Sequence, residues 1–297
     1  MIFNHRLGWG LLSAALLLTF PIACSSADEL PAAITSTPDT LTPEAIQDTA
    51  RLAPLLVDVV YLGEKHDSAE DHAAQLDIIQ ALHAEDPNLA IGMEMFQRPF
   101  QPVLDRYLAG EITEAELVAQ TEYEQRWGFP WELYAPIVHF AKDQGIPLLA
   151  LNAPAEVTRQ VAREGLESLQ EQDFRYIPPL EDIDTSSEDY QAFVMAAFGA
   201  HGSHGNFNFD NFFAAQVVWD ETMAATVAEF KQDSPQTRVV VLAGGGHVMY
   251  GYGIPSRVAR RLTDIEQTMV LLNPTPAAAE DAAIADVLWF SDVPTRP

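Results

Sequence analysis

Cysteine is almost absent from this 297-residue chain, which has one, Cys24. That excludes an intrachain disulfide framework and any site built from several thiolates, so a bound metal has to be held by His, carboxylate or Tyr. Basic residues are scarce as well, with 16 Lys and Arg against 43 Asp and Glu, for a formal net charge of -27. Nucleic-acid binding through bulk charge is thereby excluded, because neutralising phosphates needs a cationic surplus. Nucleotide motifs are missing too. Gly244-Gly245-Gly246-His247 lacks the third glycine of Gly-x-Gly-x-x-Gly, since Met249 stands there, and no Lys-Ser/Thr follows for a phosphate loop. Gly202-Ser203-His204-Gly205 has the wrong register for a Gly-x-Ser-x-Gly nucleophile elbow. What the chain does have is apolar material, 48% of its residues, enough for a large α/β core and far from the composition of disordered chains.

The one cysteine sits at an informative place. Residues Met1 to Gly10 carry Arg6 and no acid, Leu11 to Leu18 form an apolar run, and Pro21-Ile22-Ala23 lead into Cys24. The run is too short for the ~20 residues that span a bilayer and fits the apolar part of a secretory signal. Residues 1–23 are read as a signal peptide. Cys24 followed by Ser25 and Ser26 resembles a bacterial lipobox, although Pro21 stands where that pattern has Leu. The resemblance implies that Cys24 is lipidated and that the chain is exported and held at the cell envelope by a lipid anchor.

Residues 24–54, with Pro31, Pro38, Pro43 and Pro54, read as a tether carrying one short helix between Pro43 and Leu52. From residue 55 to 297 the pattern becomes an alternation of apolar runs and amphipathic stretches. The runs are Leu55 to Leu62, Leu89 to Met95, Ile146 to Leu151, Arg238 to Leu242 and Thr268 to Leu272, with Val287 to Phe290 as an edge strand. Helices are expected at Ala69 to His83, Gln101 to Leu108, Thr113 to Gln125, Trp131 to Gln144, Ala155 to Leu169 and Phe212 to Phe230. Short continuous apolar strands separated by helices predict an α/β fold with a mostly parallel central sheet flanked by helices. The stretch from about 177 to 212 breaks the rhythm and reads as a helical insertion.

In such sheets ligands bind beyond the carboxyl ends of the strands. Gly63-Glu64-Lys65-His66 follows the first run, Glu94 closes the second, Asn152 follows the third, and Gly244 to His247 follow the fourth. Glycine lets the chain turn sharply off a strand, so that His66 and His247 point back into the crevice. His66 and His72 are six apart, about 240° around a helix, and so do not share a face as a zinc-binding helix requires.

These motifs, together with Arg126-Trp127-Gly128-Phe129, Leu149 to Pro154, Trp219 to Ala224 and Ala243 to Pro255, resemble the ChaN-like haem-binding lipoproteins, in order across residues 55 to 262. The same superfamily holds the Tiki proteases and erythromycin esterase-like hydrolases, which share two Gly-x-x-His motifs and a Glu, matched by His66, His247 and Glu94. The resemblance implies an exported α/β domain with a helical insertion that binds haem and acts in haem or iron uptake. Haem needs an apolar slot, an axial Tyr or His and cations for its propionates. The insertion is rich in aromatics, with Tyr190, His201 and His204 among them, and Arg126 is a cation in a matched motif. Tyr190 is the leading axial candidate, His201 and His204 the second contacts, Arg126 a propionate anchor. A flat apolar pocket on a charged surface predicts that haem lies across a homodimer. The alternative is a metal-dependent hydrolase in which His66, Glu94 and His247 hold a divalent cation such as zinc or manganese and Glu64 serves as general base. The non-enzymatic reading is favoured.

Overall fold

The computed structural model describes residues 37–200 and 208–291, with the backbone alone for residues 198–200. Seven strands form one sheet: β1 (Asp39–Leu41), β2 (Val59–Glu64), β3 (Leu89–Gln97), β4 (Leu148–Asn152), β5 (Arg238–Gly244), β6 (Gln267–Leu272) and β7 (Val287–Trp289). Every pairing is parallel and the order is β1-β7-β6-β2-β5-β3-β4. The sequence reading of an α/β fold with a parallel, helix-covered sheet is what the structure has.

The continuous apolar runs have a direct cause. Alternate side chains of each strand face opposite sides of the sheet, and both sides are covered. Val60, Leu62, Ile91, Met93, Val240 and Leu242 pack with Ile78, Ile79 and Leu82 of the Ala69–Glu85 helix and with Tyr134, Ile137 and Val138 of the Trp131–Gln144 helix. Val59, Tyr61, Val239 and Val241 pack on the other face against Met223, Ala224 and Val227 of the Phe209–Asp233 helix and Ile254 and Val258 of the Ile254–Arg261 helix. Ser68 starts the first of these helices by accepting the Asp71 N–H, and Gly145, at φ 69°, ends the second in the left-handed conformation that costs glycine least.

The structure departs from expectation at both ends of the sheet. β7 is an inner strand; the edge is β1, which pairs with it through Asp39↔Val287 to Leu41↔Trp289. Residues 39–54 are therefore not tether: Leu41, Ile46, Leu52 and Leu55 are buried in the main core, and the expected short helix is a 3-10 turn at Ala45–Gln47 followed by Thr49–Leu52. The Thr113 to Gln125 helix is two, Glu114–Gln120 and Tyr123–Arg126, separated at Glu122, whose φ of 52° is left-handed. The insertion is shorter than expected. Its one α-helix among the described residues is Glu188–Ala200, while Phe209 to Phe213 belong to the 25-residue helix that covers the sheet. Ile177, Ile183, Tyr190 and Val194 of the insertion pack against Val157 and Val161 on one side and Phe213, Val217 and Val218 on the other. Cys24, the signal peptide, His201 and His204 lie outside the described residues.

Candidate functional site

The carboxyl ends of β2, β3 and β5 meet because β5 sits between the other two. Glu64 pairs in register with Gly244, and Met93, one residue before Glu94, with Leu242. Between Met93 and Gln97 the register against β4 shifts, and within that bulge the Glu94 carbonyl accepts from Asn152 Nδ2 at 2.9 Å. A bulge of this kind re-aims a side chain out of the strand's alternation. The Glu94 carboxylate turns to β5, where Oε2 accepts the Gly244 N–H at 2.7 Å. Gly244 is required here by contact: a Cβ would stand 2.8 Å from His66 Cε1 and 2.9 Å from its Nε2.

Glu64, His66, Glu94 and His247 are thus brought into one crevice, arranged as two carboxylate–imidazole groups. In the first, Glu64 is surrounded: Oε1 takes His66 Nδ1 at 2.8 Å and the Tyr134 hydroxyl at 2.6 Å, and Oε2 accepts from Gln75 Nε2 at 2.6 Å. His66 is clasped by Trp127 and Phe129, with ring centroids 4.8 and 5.0 Å away, leaving 16% of its side chain exposed. In the second, His247 Nδ1 lies 2.7 Å from Asp220 Oδ1 and Nε2 3.4 Å from Glu94 Oε1. Asp220 Oδ2 in turn accepts the Tyr190 hydroxyl at 2.6 Å, and Gln216 Nε2 donates to that hydroxyl at 3.3 Å.

The electrostatic consequence is a buried cation between two anions. Burial alone would lower the His247 pKa, but the charges of Glu94 and Asp220 and their hydrogen bonds outweigh it and hold the imidazole at about 10. Glu94 shows the converse. Burial pushes its carboxyl up, and His247, His66 and the Gly244 N–H bring it down to about 2. His66 follows His247 in direction, raised by Glu64 and Glu94 against the desolvation that would lower it.

The metal reading of His66, Glu94 and His247 gains no support from these contacts: Glu64 holds His66 Nδ1, Asp220 holds His247 Nδ1, and His247 Nε2 stands 3.4 Å from Glu94 Oε1. Among the described residues no group of three or more His, Cys, Asp or Glu side chains is disposed to hold a metal ion. Glu64 is not available as a general base either, since its side chain is fully buried and its oxygens are occupied by His66, Tyr134 and Gln75.

The haem candidates fare differently from one another. Tyr190 is fully buried under the crevice, its hydroxyl committed to Asp220, and burial and the neighbouring carboxylate push its pKa well above the ordinary value, so the phenolate form that would hold ferric iron is disfavoured there. Arg126 is occupied by Glu122 at 2.8 Å, Glu156 at 3.0 Å and the Gln97 side chain at 2.9 Å. Next to Tyr190, half-buried Phe193, Tyr250 and Tyr252 form an aromatic ledge: Tyr250 and Tyr252 stack at 5.4 Å and 24°, and Phe193 meets both nearly edge-on at 5.5 and 6.1 Å. Tyr250 reaches its place from a left-handed backbone, φ 58°, and donates to Asp281 Oδ2 at 2.9 Å.

Comparison with known proteins adds the family. The sequence pattern of the family described as "Haem-binding uptake, Tiki superfamily, ChaN" matches residues 55–258. A solved structure titled "Cofacial heme binding to ChaN of Campylobacter jejuni" superposes with a TM-score of 0.64 at 21% identity, over 80% of this chain and 88% of that one. An erythromycin esterase mutant in its open conformation gives a TM-score of 0.46 at 15% identity over 78% of each chain, too distant to bear on function. Among curated proteins, Protein RETICULATA-RELATED 5, chloroplastic, of Arabidopsis thaliana is 27% identical over 261 residues, 78% of this chain; the chain spans about a third of that relative's length, 34%.

Proposed function

Because this chain belongs to the haem-binding uptake family of the Tiki superfamily that includes ChaN, we propose that it binds haem as a lipid-anchored protein of a bacterial cell envelope and serves haem or iron uptake. The observation that carries the reading is the family match across residues 55–258, which takes in every strand end of the crevice. The aromatic ledge of Phe193, Tyr250 and Tyr252 supports it physically. It offers half-buried aromatic surface where the Glu188–Ala200 helix meets Tyr250 and Tyr252, and His201 and His204 follow directly on that helix in the sequence. At ~25 cal/mol per Å2, covering a few hundred Å2 of porphyrin on such a surface contributes several kcal/mol, more than screened repulsion between the propionates and an acidic surface removes. In this reading the porphyrin packs against the ledge, His201 or His204 faces the iron, and a second copy closes the site.

Titrating haemin into the purified full chain tests the central claim. We expect a saturable Soret band, weakened at least tenfold in Tyr252→Ala, which removes half of the stacked pair, and light scattering should show two chains per particle once haem is bound. Absence of a saturable band overturns the haem reading. The anchor is tested apart from it by mass spectrometry of the membrane fraction. The expected N-terminal peptide starts at an acylated Cys24; a soluble product starting elsewhere removes the envelope location and leaves the haem site untouched.

A further inference from the structure

We propose that the groove between the Phe174–Asp182 stretch and the C-terminal half of the Phe209–Asp233 helix binds a small organic anion through Arg98, Arg175 and Arg261. The groove has a volume of about 330 Å3, within the range of small-molecule sites, and none of its lining residues belongs to the crevice or the aromatic ledge. In a chain with only 16 cations, three arginines converge on this one depression.

Each arginine has donor capacity to spare. Arg175 is exposed, and among the described residues its guanidinium has no hydrogen bond or ion pair; it lies 5.0 Å from the Tyr176 ring. Arg261 binds Glu221 Oε2 at 2.7 Å through one terminal nitrogen, while the other is buried without a partner. Arg98 is held by Glu229 at 2.6 Å, but the Glu229 side chain is 58% exposed, and an ion pair so open to water is readily exchanged for a ligand carboxylate.

The charge beneath the groove points the same way. Glu221 is fully buried and bound by Arg257, Arg260 and Arg261 together, so one carboxylate faces three guanidinium groups. Of the charged residues that line the groove, Arg98, Arg175 and Arg261 outnumber Asp182 and Glu229, in a molecule of -27. Guanidinium forks match carboxylate and phosphate oxygens in pairs, and Phe174, Ile177 and Pro178 supply an apolar wall. The ligand class is a compact polycarboxylate or phosphate ester with some carbon surface.

Calorimetric titration of the full chain with citrate, and separately with inorganic phosphate, tests this. At least one of the two should bind saturably, tenfold or more weakly in Arg175→Gln, more weakly with rising salt, and more tightly in Glu229→Gln, which frees Arg98. Arg163→Gln, an exposed arginine outside the groove, should leave binding unchanged. Arg175 and Glu229 are exposed, so neither change endangers folding. Failure of both anions to bind overturns the proposal, and so does an affinity indifferent to Arg175→Gln or equally sensitive to Arg163→Gln.

Discussion

Glu221→Ala is expected to lower the unfolding free energy by about 3–5 kcal/mol, the cost of stripping the partner from a buried charge. The side chain is wholly buried on the Phe209–Asp233 helix and receives Arg257 at 3.1 Å, Arg260 at 2.7 Å and Arg261 at 2.7 Å. Arg257 matters most, because its own side chain is only 5% exposed; Arg260, at 40%, can return to water and contributes little. Glu221 Oε1 also accepts the Asp184 N–H at 3.2 Å, so the insertion loosens with the helix. For a chain of this size the loss corresponds to a fall of about 10 °C in Tm. Urea unfolding of the variant beside Arg260→Gln separates the two weights. A Glu221→Ala loss below about 1 kcal/mol would mean that the arginines find water or other partners and that the cluster does not anchor the helix.

Asp220→Asn should produce the other large effect, about 3 kcal/mol at neutral pH and with a definite pH signature. It keeps the shape of the contact to His247 and Tyr190 but removes one of the two charges that hold the imidazole protonated. In the wild type, His247 has a folded pKa of about 10 against an ordinary 6.5, so its contribution is complete below pH 6.5 and is lost as pH rises toward about 10. Glu94, depressed from 4.5 to about 2, contributes fully above pH 4.5 and loses its contribution as pH falls toward about 2. The two limbs describe one ion pair seen from each partner, and they leave a stability plateau between about pH 4.5 and 6.5. In Asp220→Asn the alkaline limb should end at lower pH, since Glu94 alone sustains the imidazolium. Stability curves that stay parallel across the alkaline range would show that the Asp220 charge does not act on His247.

The site residues differ in how legible they were in the sequence. Glu64, His66, Glu94 and His247 could be found because each ends an apolar run, and in a parallel sheet all such ends lie on one edge. Asp220 was harder to place as their partner. It comes from the middle of a 25-residue helix, where nothing local says which strand end it faces, and the available signal was chemical: Asp220-Glu221-Thr222 are three consecutive polar residues flanked by the apolar Val217-Val218-Trp219 and Met223-Ala224-Ala225, and the structure buries all three. The metal reading went unsupported for a related reason. Spacing brings donors together but does not tell whether their lone pairs point at a common centre or at each other. Strand positions were legible to within a few residues, whereas strand order was not, since β6 inserts beside β2 only through long-range pairing. β1 was hidden because three residues among prolines carry no periodicity.

The pairing of β1 with β7 has a kinetic corollary. Asp39–Leu41 and Val287–Trp289 lie some 250 residues apart along the chain, and central β2 likewise waits for β5 and β6. Contacts this remote delay folding, because the closure entropy of long loops is incurred before any native pairing offsets it. A chain emerging vectorially from a ribosome or a translocation pore cannot finish its sheet until residue 289 has appeared. Until then β1 remains a template without a partner, as β2 does until β5 and β6 have emerged, and the acidic excess, by keeping neighbouring nascent chains apart, protects them from pairing with one another.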